Sequence, residues 1–418
     1  MELVVDNKVL EFVADFKKPE EGSEVRKQAM AALNGMDFPT TRIEEWKYTR
    51  VAKYVKRKYK QVQATANVEN YKIADLNAHQ LVFVNGYYDE SLSTILEDDA
   101  VEIQNIDTLD EAYYSDLVDG TEENVFSLIN KAYQTGGVSI QIKKNKKANH
   151  PIHLLHIVNG EEVIANARHF VHAENGSKAE IVATFHSENS ENSFSNIVFE
   201  GHVETNASLT INKMQTEAKN MLHISNELFV QDESSNFLIN TITTGSLLTR
   251  NGLNVIVEGE NCHTEMNGAY LGTEKQHLDN HTLIDQLYSN CTSSESYQGV
   301  MDGKSVGVFN GKVIVRQDAQ KIEAYQSNRN ILLSKKASVN SKPELEIYAD
   351  DVRCSHGSTI GELDPEAIYY LRSRGISEES AKQLLVAGFI GGVLDKVENE
   401  ALRANIDDLF LKDFGWKF

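Results

Sequence analysis

Between residues 175 and 292 the sequence returns five times to one short turn pattern: Asn175-Gly176-Ser177, Asn206-Ala207-Ser208, Ser234-Ser235-Asn236, Asn261-Cys262-His263 and Asn290-Cys291-Thr292. These clusters lie roughly 25 to 31 residues apart, and each is followed by a strand-like run, which is typical of a stacked array of repeats. Because no helix periodicity intervenes, the pattern predicts a β-solenoid in which each rung contacts its neighbours. A β-sandwich is the alternative, although more than about 200 residues of short strands would be large for one.

Strand signals fill the middle of the chain and helix signals its two ends. The predicted strands include 81–84 before a turn at Asn85-Gly86, then 152–158, 179–186, 197–203, 237–242 and 253–257. The predicted helices are Glu24–Leu33 closed by Asn34-Gly35, 122–134 capped by Thr121, a helix opened by Asp364-Pro365-Glu366 and closed by Gly375, 378–388 capped by Ser377, and 398–411. We therefore expect a mixed, largely helical N-terminal region at 1–135, a solenoid core at 136–355 and a helical C-terminal region at 356–418.

Composition excludes several classes of function. The 418 residues carry 41 Lys and Arg against 62 Asp and Glu, a net charge of −21, whereas a general nucleic-acid binder needs a basic surface. The N-terminus has neither the basic start nor the apolar run of a secretory signal, and no stretch approaches 18 apolar residues. The three cysteines are too few for a disulfide framework and fit a reducing compartment. These features predict a cytoplasmic protein.

The strongest local candidate for chemistry is Arg353-Cys354-Ser355-His356-Gly357. If this segment is extended, Cys354 and His356 project from one face, about 6.5 Å apart along the chain. Thiolate and imidazole both bind iron, in an iron–sulfur cluster, or zinc, but either site usually needs about four ligands. The remaining ligands would come from a distant segment or another chain. The alternative interpretation is that Cys354 is a small buried apolar residue and His356 a turn residue.

Other motifs carry less chemistry. The run from Gly299 to Ser305 resembles a phosphate-binding loop, but it has three residues between its glycines instead of four and is followed by a strand signal. It predicts a hairpin turn at Asp302-Gly303 and no nucleotide bound by this chain itself. The histidines of the strand region match no metalloenzyme spacing, so we interpret them as core or face residues. Cys262 and Cys291 are expected to stack inside the solenoid.

Several segments of the chain are specific enough to identify a family. The most specific are Asp350-Asp351-Val352-Arg353-Cys354-Ser355-His356-Gly357-Ser358-Thr359-Ile360-Gly361 and Tyr369-Tyr370-Leu371-Arg372-Ser373-Arg374-Gly375-Ile376. Others are Gln317-Asp318-Ala319-Gln320, Gln326-Ser327-Asn328-Arg329-Asn330, Ser341-Lys342-Pro343-Glu344-Leu345, Glu44-Glu45-Trp46-Lys47-Tyr48-Thr49 and Phe83-Val84-Asn85-Gly86. Together these segments resemble the SufB/SufD family, and more closely its SufD branch. Ser358 stands where alanine is more usual in that family.

The resemblance implies a right-handed parallel β-helix flanked by helical regions, in a non-catalytic scaffold subunit for iron–sulfur cluster assembly. It implies pairing with a SufB-like subunit through the β-helix ends, docking of a SufC-like ABC-type ATPase on the C-terminal helices, and a transient iron–sulfur cluster at the subunit interface. By position, Cys354 and His356 would be the cluster-binding and metal-binding residues of this chain. Two other functions stay open: a polysaccharide-active β-helix enzyme, and a SufB-type scaffold that forms a homodimer and holds the cluster alone.

Overall fold

The turn clusters form a column of corner residues with left-handed backbone. In the computed structural model, which describes residues 7–18, 23–108 and 124–414, φ lies between 57° and 68° at seven stacked positions. These positions are Asn145, Gly176, Asn206, Ser234, Asn261, Asn290 and Lys321. The backbone N–H of Asn206 donates to the carbonyl of Glu233, and that of Ser234 to Glu260, at 3.0 and 2.8 Å. Asn, Gly and Ser suit these corners because they tolerate φ > 0 or bond locally to the backbone.

Nineteen strands and six helices are found in the described residues. The helices are α1 Lys8–Phe12, α2 Glu24–Leu33, α3 Val125–Tyr133, α4 Pro365–Ser373, α5 Glu378–Leu394 and α6 Glu400–Phe414. The first ten strands are β1 His79–Val84, β2 Tyr87–Tyr88, β3 Val101–Asn105, β4 Gly136–Ile142, β5 Ile152–Glu161, β6 Ile164–Ala173, β7 Lys178–Glu191, β8 Phe194–Val203, β9 Ser208–Gln215 and β10 Leu222–Gln231. The others are β11 Asn236–Thr243, β12 Leu248–Val257, β13 His263–Gly272, β14 His277–Gln286, β15 Thr292–Met301, β16 Val306–Val315, β17 Ile322–Leu332, β18 Ser338–Ile347 and β19 Val352–Gly361.

From β4 onward, successive strands alternate between two parallel sheets. One has ten strands in the order β19-β17-β15-β13-β11-β9-β7-β5-β1-β2, and the other nine in the order β18-β16-β14-β12-β10-β8-β6-β4-β3. The predicted β-solenoid is thereby confirmed, and the sandwich alternative is wrong. The predicted hairpin at Asp302-Gly303 is also wrong: Gly303 is left-handed at φ 64°, but β15 and β16 pair with other strands, so this turn is a corner between the sheets.

The solenoid is filled by apolar side chains from both sheets, and the terminal helices cover its outer faces. Phe126 and Ile129 of α3 pack with Phe194 and Leu222 on the nine-stranded sheet. Residues of α5 and α6 form a second outer cluster with Val182, Met214, Ile242 and Val300 of the ten-stranded sheet. Within the described ranges, no helix combines the length and the apolar character needed to cross a bilayer.

The predicted helix boundaries agree with the structure at most ends. The Asp364 side chain accepts a hydrogen bond from the backbone N–H of Glu366 with Pro365 in the first turn, and Ser377 caps α5. In α3 the described N-cap is Asn124, while the predicted cap Thr121 lies outside the described residues. The domain division at 135/136 and 355/356 stays a proposal. Strand β19 crosses its second boundary because it continues to Gly361.

Asp279 in β14 anchors the N-terminal segment to the nine-stranded sheet. Its buried carboxylate accepts hydrogen bonds from Arg250 and from the Thr49 hydroxyl, both at 2.5 Å, and lies 3.1 Å from His281. The Arg250 guanidinium in turn lies 3.9 Å from the centre of the Trp46 ring. Burial alone would raise the pKa of Asp279, but the charges of His281 and Arg250 hold that pKa well below its ordinary value. The carboxylate is therefore the counter-charge of this cluster.

We expect Asp279→Ala to lower the free energy of unfolding by about 3 kcal/mol, because it leaves the Arg250 guanidinium buried without a counter-charge. The matched control is Asp285→Ala on the same strand, where Arg316 is half exposed and its pair with Asp285 is worth about 1 kcal/mol or less. Urea unfolding of both variants measures the difference. Equal losses would show that the Asp279 cluster contributes no more than a surface ion pair.

Candidate functional site

Cys354 and His356 lie on β19, the last strand of the ten-stranded sheet. This strand pairs with β17 on one side, in a register that places Cys354 beside Ala324 and His356 beside Gln326. Ala324 and Gln326 are buried inside the solenoid, and register partners in a parallel sheet share a face. The two side chains therefore lie on the same, inward face of the final rung, as their spacing predicts.

The two candidate ligands differ in their surroundings. Cys354 is half-buried and packs against the end of the solenoid core, whereas His356 is exposed. Burial raises the pKa of the Cys354 thiol, against a smaller opposite effect of the hydrogen bond with the Ala324 backbone. The isolated chain thus favours the neutral thiol, and a bound metal would have to displace its proton. The alternative of a turn residue is wrong for His356, which lies within a strand, but Cys354 does contact the core.

Nothing in the described part of the chain stacks on the final rung. Strands β18 and β19 each have a paired neighbour on one side only, so their other edges present unpaired backbone groups. Pro343 lies in β18, where an edge strand tolerates the missing N–H. Large apolar side chains at this end are exposed as well: Tyr348 by 59%, Ile360 by 47% and Ile347 by 40%. Open edges together with exposed apolar side chains are typical of a protein interface.

The interior becomes polar toward this open end. Five residues, Tyr270, Asn328, Asn330, Ser341 and Ser358, form a connected network in and below the final rung. The Ser358 hydroxyl donates to Ser341 at 2.7 Å, and Ser341 donates to the Asn328 side-chain oxygen at 2.7 Å, which links the two sheets. Asn330 also donates to Asn328, and the Tyr270 hydroxyl donates to Asn330. Hydrogen bonds between polar side chains therefore close the end of the core.

A second polar series runs directly beneath His356. One inward-facing column passes through Ile181, Ile211, Ile239, Met266, Glu295, Gln326 and His356 on successive strands of the ten-stranded sheet. Its first four members are apolar, and its last three are polar. Burial raises the pKa of Glu295 to about 7, while its hydrogen bonds with Thr282 and Gln326 act in the opposite direction.

Sequence reasoning singles out Cys354 and His356 as candidate ligands but gives no role to Glu295 and Gln326. Gln326 belonged to a segment that resembles the family, and Glu295 to no motif. Both precede His356 by whole rungs, so stepping back by one solenoid period from the candidate histidine is the signal that could have found them.

The other histidines and cysteines stay apart from this pair. Cys262 and Cys291 are buried at neighbouring corners of the solenoid core, as expected. His153, His156 and His169 are buried many rungs away, near the other end. Across residues 7–18, 23–108 and 124–414, no group of three or more His, Cys, Asp and Glu side chains is placed to hold a metal ion. Cys354 and His356 are thus a candidate half-site of two ligands, and the described residues place no third ligand beside them.

Comparison with known proteins agrees with this architecture. Two family models match: "SUF system FeS cluster assembly, SufBD core domain" over residues 156–389, and "SufBD protein N-terminal region" over residues 17–154. An iron–sulfur cluster assembly SufBD family protein of Synechocystis is 30% identical, over 91% of this chain and 88% of its own length. The iron–sulfur cluster assembly protein SufD of Escherichia coli is 29% identical over 92% of both chains, and SufD of Bacillus subtilis 25% over 97% of both.

The family models together cover the solenoid, its final rung with Cys354 and His356, and most of the flanking helices. This chain belongs to the SufBD family of the SUF system for iron–sulfur cluster assembly.

Proposed function

We propose that this chain is a non-catalytic scaffold subunit that pairs with a SufB-like subunit through its open β18–β19 end and contributes Cys354 and His356 to a transient iron–sulfur cluster there. The observation that carries the proposal is the position of a thiol and an imidazole on one face of a rung that has no neighbour in the described chain. The cluster is cargo, assembled at the interface and passed on.

The chemistry of the half-site fits transient binding. A cluster usually takes about four protein ligands, so two from this chain leave the rest to the partner, and the cluster is held only while both subunits are in place. The raised pKa of the Cys354 thiol means that binding iron releases a proton from it. Both properties support loading and release rather than permanent storage.

The C-terminal helices are the proposed docking surface for a SufC-like ATPase, which would supply the ATP hydrolysis. Helix α4 has no buried residue, and its Tyr369 and Tyr370 are 75% and 58% exposed. Leu384 of α5 is exposed as well. Exposed aromatic side chains of this kind favour a protein partner. All three cysteines are free thiols, which supports a reducing, cytoplasmic location.

The test is co-purification of this chain with a SufB-like and a SufC-like protein, followed by anaerobic loading with iron and a sulfide source. We expect a complex of all three chains that acquires the visible absorption of an iron–sulfur cluster, and no stable cluster on this chain alone. A stable cluster on the isolated chain, with the mass of a homodimer, would instead favour the self-sufficient SufB-type scaffold. Failure to associate with both partners would contradict the proposal.

A further inference from the structure

Gln326 is held from below by Glu295. The two side chains occupy consecutive positions of the inward column, and both are almost fully buried, with 3% and 2% of their surfaces exposed. The Gln326 Nε2 group donates to Glu295 Oε2 at 2.5 Å, while the Thr282 hydroxyl donates to the other carboxylate oxygen. An ionised carboxylate only accepts hydrogen bonds, so the nitrogen side of the amide faces Glu295 once the pH is above the Glu295 pKa of about 7.

The opposite sheet also fixes the Gln326 side chain. Gly311 of β16 lies across the interior, and a Cβ at this position would come within 2.5 Å of Gln326 Nε2 and 2.6 Å of the Phe309 ring. Glycine at 311 thus leaves the space that the amide occupies. Held by Glu295 and by this close approach, the amide cannot exchange its nitrogen and oxygen freely.

The amide oxygen of Gln326 is left without a partner. Gln326 Oε1 is buried and accepts no hydrogen bond from the described residues, His356 included, although a buried carbonyl oxygen normally has a donor. The next residue of the column is His356, on the strand that pairs with β17, one strand spacing of about 4.8 Å away. An imidazole N–H is a donor of the right reach for this position.

We propose that Gln326 is a positioning residue for His356: the exposed His356 ring turns inward, Gln326 Oε1 then accepts a hydrogen bond from one ring N–H, and the other ring nitrogen stays free to bind the metal. This inference rests on the proposed function, in which the free ring nitrogen of His356 binds a metal. A histidine that binds a metal typically donates its other N–H to a carbonyl or carboxylate, which fixes the tautomer and the orientation of the ring. Glu295 acts one step further away, by orienting the Gln326 amide.

The test is ¹H–¹⁵N spectroscopy of the full-length chain at pH 8, above the Glu295 pKa of about 7. His356→Ala identifies the ring N–H signal of His356 by its loss. In Gln326→Met, which keeps the volume but removes the acceptor, we expect this proton to exchange with water about tenfold faster, as a hydrogen bond worth about 1.4 kcal/mol would require. The matched control is Gln298→Met, the same change on the outward face of neighbouring β15, which should leave the exchange rate unchanged.

A second variant tests the same contact in case Gln326→Met does not fold. Gly311→Ala retains the amide but displaces it, and we expect it to accelerate exchange in the same direction. Thermal unfolding reports whether each variant is folded. Unchanged exchange in a folded Gln326→Met variant would overturn the inference, whatever the complex does. If exchange accelerates but cluster formation in the complex survives His356→Ala, the positioning contact stands and the proposed function of His356 fails.

Discussion

The double variant Cys354→Ala, His356→Ala is expected to reduce cluster formation in the reconstituted three-protein complex to background while the complex still assembles. Both ligands of this chain leave together, and a cluster that needs about four ligands is not held by the partner's share alone. Assembly survives because the proposed contact surface rests on strand edges and on Tyr348, Ile347 and Ile360, which the variant keeps. Visible absorption and bound iron after anaerobic loading measure the cluster, and gel filtration measures the complex.

The matched control for this variant uses the other face of the same strand. Arg353 and Ser355 alternate with the two ligands and are exposed, so Arg353→Ala, Ser355→Ala changes two side chains of β19 without touching the half-site. We expect it to form the cluster at the wild-type level. An equal loss in both double variants would point to the strand edge as the essential feature, and full cluster formation without Cys354 and His356 would rule out their proposed role.

Acidification from pH 7.5 to pH 5 is expected to remove about 6 kcal/mol of stability through three core histidines alone. Burial lowers the pKa of His153 and His169 to about 3 and that of His156 well below its ordinary value. These groups stay neutral in the folded chain but gain a proton in the unfolded chain, where the pKa is about 6.5. Their contribution is therefore complete above about pH 6.5 and is lost as the pH falls, at about 2 kcal/mol each by pH 5.

His156→Phe isolates one of these contributions. The His156 ring is stacked between Phe83 and Phe185, with ring centres 4.6 and 4.7 Å apart, and its Nε2 has no hydrogen-bond partner. A phenyl ring can replace it in the stack without a titratable group. Relative to the wild type, we expect the variant to gain about 2 kcal/mol more at pH 5 than at pH 7.5 in urea unfolding. An equal change in stability at the two pH values would contradict this contribution of His156.

Glu295 acts in the opposite direction over part of the same range. Its folded pKa of about 7 lies above the ordinary pKa of a glutamate side chain, so its contribution to stability is present at low pH and is lost as the pH rises toward 7. Between pH 7.5 and pH 5 it returns between about 2 and 3 kcal/mol, less than the three histidines remove. Acid destabilisation should accordingly be steeper in Glu295→Gln than in the wild type, and a shallower profile would contradict the direction of this pKa shift.

The corners of the solenoid could be predicted because their cause is local. Asn206, Ser234 and Asn261 mark left-handed backbone positions through their own side-chain chemistry, and their recurrence gave the period. The pairing partner of each strand could not be predicted in this way, because it has no local cause. Asp302-Gly303 specifies a tight turn, but whether the flanking strands pair with each other depends on rungs that lie about 30 residues away. The sequence therefore predicts a hairpin where the structure has a corner between the two sheets.

The position of Cys354 and His356 on one face of a strand could be predicted for the same local reason, and the residues beneath His356 could not. Cys354 and His356 are two positions apart, so alternation within one strand places them on one face. Gln326 and Glu295 reach His356 through the register of three strands. The solenoid period points to their part of the sequence, but the spacing between corners varies from rung to rung, so the period does not single them out. The pairing of Thr49 with Asp279, which connects distant parts of the chain, gave no local signal either.

The unpaired edges of the final rung also put the free chain at risk of aggregation. Unpaired strands are templates for aggregation, and here only β18 carries a proline that interrupts the template, so β19 is the more vulnerable edge. A newly made chain that meets no partner exposes this edge for as long as it waits. Under the proposed pairing with a SufB-like subunit, its yield in a cell should therefore depend on balanced synthesis of the two subunits more than on the stability of its own core.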